Sequence, residues 1–414
     1  MSPVSLIIVG AGSRGTTYAR FAAEFPERAK LVGVAEPRDA YRNNLVEAHT
    51  ISPSHVFTDW KQVATQPRFA DAVIIATQDR MHVEPAIAFA NLGYDILLEK
   101  PMAPDAAGCH QIVDAAKAND IILGVCHVLR YTAFTRKLKA LIGEGAIGDV
   151  VGLQRLEPVG FWHMAHSFVR GNWHNEAASG PMLLTKSCHD IDWIHYIMGV
   201  PCETVSSFGS LKHFRAEEAP NGAAARCLEC PVEPHCAYSA KRIYLEALSR
   251  GHTGWPIDVL TPEPTKESVL AALATGPYGR CVYAMDNDVV DHQVVSMNFQ
   301  GGRTATFTMM AFTKMGHRET SIFGTKGQLT GDGRYIHLYD FLADETTTFD
   351  TEAGDSSILG GHGGGDYALM DSFVRAVAEQ DPSLILSGPD ETLASHLLVF
   401  AAEQARREGR VVRL

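Results

Sequence analysis

The stretch "SLIIVGAGSRGTTYARF" near the N-terminus constrains the fold more than any other part of the chain. An apolar run with strand character meets a glycine-rich turn and passes at once into a helical pattern. Gly10, Gly12 and Gly15 stand in G-x-G-x-x-G spacing, which serves a tight turn, close approach of backbone to a pyrophosphate, and close packing of helix on sheet. Ser13 and Arg14 open the helix, whose free N–H groups and positive dipole end would face phosphates. A second apolar run, "AKLVGVAE", ends in Glu36, 21 residues after Gly15, where a carboxylate accepts from the ribose hydroxyls of an adenine nucleotide. That acid favours NAD because it repels a 2′-phosphate, whereas Arg38 pulls toward NADP.

The alternation continues downstream. "DAVIIAT" (71–77), "YDILLEKP" (94–101) and "IILGVCHV" (121–128) are short apolar runs separated by helical patterns. This is the pattern of a doubly wound parallel sheet with helices on both faces. Ligands of such sheets lie beyond the carboxyl ends of the strands, so Thr77, Glu99, Lys100 and His127 fall on the ligand-facing edge. With 414 residues, 46% of them hydrophobic, the chain has material for a second core. A net charge of -12 argues against a nucleic-acid surface. No apolar run reaches the length of about 18 residues that a membrane span needs. The N-terminus reads as a strand rather than a secretory signal, and eight cysteines then fit a reducing, cytoplasmic setting.

In a chain that opens this way, "LLEKPMA" at a strand end resembles the glucose–fructose oxidoreductase/inositol dehydrogenase (Gfo/Idh/MocA) family. "ATQDRMHVEPAIAFANLGYDILLEKP", "GVCHVLRY", "KLKALIGEGAIGDVVGLQ" and the terminal "ETLASHLLVFAAEQARREGRVVRL" extend the resemblance over the whole chain. It implies an α/β protein: an N-terminal Rossmann domain with a doubly wound parallel sheet over 1–128, then over 129–414 a substrate-binding and dimerisation α/β domain. The second domain is expected to carry a large open, mostly antiparallel sheet and a C-terminal helix that packs back. The resemblance also implies a homodimer or homotetramer, and NAD held by Gly10, Gly12, Ser13, Arg14, Gly15, Glu36, Arg38, Thr77, His82, Glu99 and Lys100. Lys100 becomes the lysine of the family's EKP motif. Its chemistry stands without the family, because hydride leaves a carbinol carbon only as the hydroxyl proton is lost, and an ammonium stabilises the developing alkoxide or shuttles that proton. The bland alternative is a surface lysine paired with Glu99.

The family's second-domain motif, a glycine run followed by Asp, three residues and His, is matched only in part. His189 aligns with its histidine, but Thr185 stands where the Asp is expected, and Ser179 and Pro181 flank the surviving Gly180. The usual Asp–His relay is therefore not available, and Lys186 is expected to take over part of its electrostatic role. Read as one helix, "LLTKSCHDIDW" (183–193) and its continuation place Leu184, Cys188, Ile191, Ile194 and Met198 on a core stripe. Lys186, His189, Trp193 and Tyr196 gather opposite, with Asp190 flanking, a face suited to a helix beside the nicotinamide. Lys100, Lys186 and His189 form the candidate catalytic set. A structural histidine and a metal site are the alternatives, the latter disfavoured because His189 and Asp190 point about 100° apart beside a lysine.

"FWHMAHSFVRGNWHN" (161–175) holds three histidines, an arginine, two tryptophans and two phenylalanines, with no aspartate and no glutamate. Aromatic faces pack on the C–H faces of sugars, while cations hold hydroxyls or an anionic substituent. Trp162, His163, Arg170 and Trp173 from this block, with His127, Arg130, Tyr131, Lys186 and His189, are the expected substrate contacts. An interface or lid segment is the alternative. The loop "GGHGGGDY" (360–367) reads equally as backbone donors for a ligand or as a linker.

"RCLECPVEPHCAYSAKR" lies in an insert of about 210–285 without clear periodicity. CxxC turns chelate tetrahedral metals, and Cys227, Cys230, Cys236 and Cys281 supply four thiols for a structural zinc. Free core cysteines, a redox CxxC and an iron–sulfur cluster are the competing readings.

The leading functional expectation is NAD-dependent abstraction of hydride from a sugar or glycoside carbon, C3 favoured, with an anionic sugar as one candidate substrate. Its closest rival is a redox-neutral sequence: oxidation at C3, elimination, hydration and return of the hydride, as in relatives that hydrolyse glycosides. Sulfonated or carboxylated glycosides, sulfoquinovosides among them, suit the cations. A non-catalytic dinucleotide and sugar sensor is the third possibility.

Overall fold

The structure is a computed structural model and describes residues 2–352 and 363–414. Six strands follow the alternation: β1 (Val4–Val9), β2 (Ala29–Ala35), β3 (Val56–Phe57), β4 (Ala72–Ile75), β5 (Asp95–Leu98) and β6 (Leu123–Val125). They form one parallel sheet in the order β3-β2-β1-β4-β5-β6. β4 and β5 are buried at every position, because helices cover both faces of the sheet. The order reverses between β1 and β4, and that reversal opens the crevice where such sheets bind ligands.

A second sheet of nine strands follows. It comprises β7 (Val150–Pro158), β8 (Cys202–Ser210), β9 (His292–Phe299), β10 (Arg303–Met310), β11 (Glu319–Gly324), β12 (Gly327–Gly331), β13 (Tyr335–Asp340), β14 (Glu345–Asp350) and β15 (Val412–Arg413). The order is β14-β13-β12-β11-β7-β10-β9-β8-β15, antiparallel except where β7 meets β10. Along β9 buried positions alternate with more exposed ones, as one covered and one open face require. The helices Cys188–Met198 and Pro389–Glu408 lie on the covered face.

The chain returns to its beginning near the C-terminus. Leu369, Met370 and Phe373 of the helix Gly365–Glu379 share a core with Leu6, Tyr18 and Phe21 of the parallel-sheet layer. The helix Pro389–Glu408 touches both β8 and the helix Ala106–Ala118, so it ties the two sheets together. Between β8 and β9 the insert runs through short turns and the helix Lys266–Thr275, whose Val269 and Leu273 join the second core. Of the glycine-rich loop 360–367, residues 360–362 lie outside the described residues, and Gly363 and Gly364 lead into the helix Gly365–Glu379. No helix among the described residues is long and apolar enough to cross a membrane.

The single helix expected over 183–193 is a correction. Two helices, Met182–Thr185 and Cys188–Met198, are separated by a break at Lys186 and Ser187. The carbonyl of Thr185 accepts from Lys100 Nζ at 2.8 Å, which gives the interrupted turn a partner outside the helix.

Candidate active site

The glycine turn is built as its spacing demands. Gly10 has φ +94°, and a Cβ there would lie 2.5 Å from the Ala76 carbonyl oxygen. A Cβ on Gly15 would lie 2.0 Å from the Gly10 oxygen, so the helix Ser13–Glu24 can seat on the turn only with glycine here. At Gly12 the nearest such neighbour is Arg38 Nη2 at 3.6 Å, which leaves room beside the turn. The helix begins with no side-chain cap and no acid in its first turn. Its N–H groups there are donors for a pyrophosphate, and Ser13 is exposed at that end.

Glu36 is buried beneath the turn. Its Oε2 accepts from Ala11 N at 2.8 Å, and Arg38 binds both its oxygens at 2.7 and 3.0 Å. Burial opposes ionisation, yet Arg38 and the backbone N–H groups of Arg38 and Ala11 hold the Glu36 carboxyl below its ordinary range. With its guanidinium satisfied by Glu36 and lying 4.0 Å over the Tyr41 ring, Arg38 is no free anchor for a 2′-phosphate. These residues fit NAD.

Several expected cofactor contacts have other work. Arg14 reaches away from the turn to Glu99 at 2.6 Å and to Asp366. Glu99 also accepts from the Tyr18 hydroxyl and from Lys100 N, so it braces the strand end. His82 bridges Pro101 O at 2.8 Å and Thr77 O at 3.2 Å, while Thr77 donates its hydroxyl to Met81 O. These bonds fix the path of the backbone on either side of Lys100.

Lys100 leaves the carboxyl end of β5 and spans to Thr185 O. It therefore joins the carboxyl-end edge of the parallel sheet to the helix break of the second domain. Around the helix break lies a buried charge network. Glu157 pairs with Lys186 at 3.3 Å and with Arg318 at 2.5 Å, and Asp190 pairs with Arg155 at 2.8 Å and Arg318 at 3.1 Å. Burial lowers the Lys186 ammonium pKa, with Glu157 opposing. Three cations against two acids leave one positive charge in excess beside Lys100. Arg155, Glu157 and Arg318 carry no signal in local sequence, since they lie far along the chain from 186–190.

His189 packs against His127, ring centroids 5.7 Å apart, and His127 against His396 at 5.4 Å. His396 Nε2 in turn accepts from Met102 N at 2.9 Å. Trp193 and Tyr196 do not share a face with Lys186. The Trp193 indole donates to Thr135 Oγ1 with Arg155 lying 3.9 Å over its ring, and Tyr196 lies beneath Arg130 and Lys139. Cys188 is buried in the second core.

Arg130 and Tyr131 prove to be framework residues rather than pocket walls. Arg130 binds Asp192 through two hydrogen bonds of 2.8 and 2.7 Å, and the Tyr131 hydroxyl meets Ser387 at 2.9 Å. The aromatic block is less cationic than its composition suggests. Burial drives the pKa of His163 well below the ordinary histidine range and that of His166 down to about 3. Arg170 turns inward to Arg280 O, Tyr238 O and Cys227 Sγ. Trp162, His163 and the insert's Trp255 form an aromatic cluster, with centroids 5.2 Å (Trp162–Trp255) and 5.0 Å (His163–Trp255) apart. Trp255, which composition alone does not single out, is 43% exposed. Trp173 donates its indole N–H to Asp79 at 3.1 Å.

The structural zinc expectation is not supported. Among the described residues no group of three or more His, Cys, Asp or Glu side chains is arranged to hold a metal ion. Cys227, Cys230, Cys236 and Cys281 do line one narrow cavity. The Arg170 guanidinium shares that cavity and donates to Cys227 Sγ at 3.3 Å, which places a cation where a metal would need room.

The buried groups make acid stability predictable. Burial lowers the pKa of His127 and His166 to about 3 and that of His396 to about 4, against an ordinary value of 6.5. Burial opposes ionisation of Asp192, but Arg130 outweighs it and holds this carboxyl at about 2. All four folded values are depressed, so each contribution is whole above the unfolded pKa and is lost as pH falls toward the folded one. Denaturant titrations are expected to show stability declining from about pH 6.5, with a further decline below about pH 4. A flat profile between about pH 6.5 and 4.5 would contradict this.

With the geometry in place, comparison with known proteins is informative. The oxidoreductase family with an NAD-binding Rossmann fold matches residues 4–127, and that family's C-terminal alpha/beta domain matches residues 139–414. The Bacillus subtilis (strain 168) protein YteT is 24% identical over 316 residues, covering 73% of this chain and 72% of that protein. The 2,7-anhydro-N-acetylneuraminate hydratase of Mediterraneibacter gnavus is 27% identical over 221 residues, or 51% of this chain and 54% of its own length. The chain thus spans about half the length of that relative. Among solved structures, a levoglucosan dehydrogenase in complex with NADH and levoglucosan superposes with a TM-score of 0.71 at 17% identity, covering 100% of this chain and 99% of the other. That likeness shows the fold. The chain belongs to the Gfo/Idh/MocA oxidoreductase family, with its NAD-binding Rossmann domain and its C-terminal α/β domain.

Proposed function

We propose that this protein uses NAD to take hydride from a ring carbon of a sugar or glycoside, C3 favoured, in the cleft where Lys100 faces Thr185, Lys186 and His189. The observation that carries the reading is the placement of Lys100 Nζ, held at 2.8 Å from Thr185 O where the carboxyl end of the parallel sheet meets the second domain's helix break. Bound NAD supplies the hydride acceptor. The chain supplies the rest: Lys100 stabilises the oxygen that loses its proton, and the network under Lys186 keeps that ammonium in place. His189 packs beside them through His127, and Trp162 and Trp255 offer faces for the C–H side of a sugar. Relatives named for inositol and anhydro-sugar substrates support a polyhydroxylated ligand.

The excess positive charge at Lys186 and Arg318 favours a carboxylated or sulfonated substrate. Lys186→Met is expected to raise KM for such a glycoside roughly 10- to 100-fold, the worth of one charge-assisted hydrogen bond. The neutral analogue should change little. Steady-state kinetics on a matched pair of substrates decides this, and equal losses on both would remove Lys186 from substrate recognition.

A second reading shares the first step and returns the hydride. A ketone acidifies the neighbouring C–H, so the aglycone can be eliminated, water added and the ketone reduced again. Thr185 in place of the usual acid, and the hydratases among the relatives, favour it. Chromogenic glycosides with catalytic NAD separate the two readings. NADH accumulation without aglycone release supports net oxidation, and release without NADH supports the redox-neutral sequence. Neither signal across acidic and neutral glycosides would argue against both. We further propose a cytoplasmic homodimer or homotetramer formed through the open face of the nine-stranded sheet, where Phe208 is 70% exposed. Sedimentation of the purified protein as a monomer would refute that assembly.

A further inference from the structure

We propose that Trp162 and Trp255, with Phe161 beside them, form a subsite for a flat apolar aglycone next to the sugar, so that the substrate is an aryl glycoside. The proposal rests on the hydride-abstraction reading above and names the substrate class of that site. Residues 161–173 are tied to the candidate site at both ends. Just before them, Glu157, next to last in β7, pairs with Lys186 at 3.3 Å. At their far end Trp173 donates its indole N–H at 3.1 Å to Asp79, which begins the turn beyond β4. Between these anchors the rings follow one another in contact. Trp173 lies 5.9 Å from Phe168, Phe168 lies 5.8 Å from His163, and His163 lies 5.0 Å from Trp255. Trp162 meets Trp255 as well, at 5.2 Å. An aromatic wall thus runs from the carboxyl-end edge of the parallel sheet to the insert.

The insert end of that wall is apolar and open. Trp255 and Phe161 are exposed, and Trp162 is half-buried. Met315, also exposed, packs on the turn at Gly160, where a Cβ would lie 2.5 Å from its own. Large apolar side chains exposed together mark a surface that a ligand or partner covers. Continuity with the Lys186 end of the site, through Glu157 and the run of rings, favours the substrate over a second copy of the chain.

A sugar ring needs partners for its hydroxyls as well as a ring to stack on. The polar groups of this wall are engaged elsewhere. Arg170 is the one lysine or arginine in 161–173, and it is turned to the carbonyls of Arg280 and Tyr238. His166 Nδ1 meets the Tyr244 hydroxyl at 2.8 Å, and the Trp173 indole is spent on Asp79. Trp162 and Trp255 present ring faces, which recognise a second flat ring by offset or edge contact. The hydroxyl-bearing part of the substrate then lies toward Lys100 and Lys186, and the aglycone lies on the tryptophans.

The test uses phenyl and methyl glycosides of the same sugar, as glucosides, galactosides and glucuronides, with the full chain. Saturation-transfer NMR in the presence of NADH, which accepts no hydride, reads binding without turnover. In the wild type the phenyl protons should receive the strongest transfer. Trp255→Ala should lose most of it, and Trp255→Phe should keep it. In steady-state kinetics with NAD, Trp255→Ala should raise KM for the phenyl glycoside roughly 10-fold more than for its methyl counterpart. No transfer to phenyl protons with any of these sugars, or equal effects of Trp255→Ala on both glycosides, would overturn the proposal. So would a Trp255→Ala protein that keeps the phenyl contact and sediments as a smaller assembly, because the patch would then be a contact between copies. Phenyl transfer that depends on Trp255, in a protein that takes no hydride from any glycoside, would overturn the functional reading and leave the subsite standing.

Discussion

Replacing Lys100 by methionine is expected to lower kcat by about 100- to 10,000-fold, the range for losing a positioned acid–base group. NAD affinity should stay within a few-fold. Methionine keeps an apolar stem of similar reach and removes the ammonium. In the structure that ammonium has a hydrogen-bond partner from the second domain, Thr185 O. The cofactor turn at Gly10–Gly15 and Glu36 does not depend on it. Binding measured by quenching of protein fluorescence, beside single-turnover hydride transfer, separates the two effects. A variant that lost NAD binding in proportion to rate would show Lys100 to be a cofactor anchor and no more.

The largest effect on stability is expected from Asp190→Asn. Asp190 is buried and holds both Arg155, also buried, and Arg318. The substitution keeps the volume and strands two guanidinium groups with Glu157 as their remaining anionic neighbour. Breaking a buried pair by removing one partner costs about 3–5 kcal/mol, and the loss should appear as a lower midpoint in guanidinium unfolding. A loss below about 1 kcal/mol would mean that the network is more hydrated than its burial implies.

The parts of the molecule legible in the sequence are those set by local pattern. The glycine spacing, the acid after the second strand and the run of short apolar strands each follow from geometry within about thirty residues. What local pattern does not carry is partner choice. Arg130 and Tyr131 occupy a strand exit that faces a ligand edge, but Asp192 and Ser387, which claim them, come from elements far along the chain. Arg170 lies in an aromatic block with the composition of a sugar platform, but carbonyls from 238 and 280 turn it inward. Histidines that count as cations in composition are neutral once buried. The opening of the helix at Lys186 has no signal either, since neither glycine nor proline marks it, and the carbonyl's partner arrives from Lys100.

The central claim is that hydride passes between a sugar carbon and NAD in the Lys100 cleft. The most direct measurement uses sugars and glycosides deuterated at the ring C–H positions, C3 first, with oxidised NAD in a single turnover quenched by acid. The account predicts that mass spectrometry of the recovered nicotinamide cofactor finds the deuterium there, and finds far less with Lys100→Met. Turnover of the labelled substrate with no deuterium in the cofactor would contradict it.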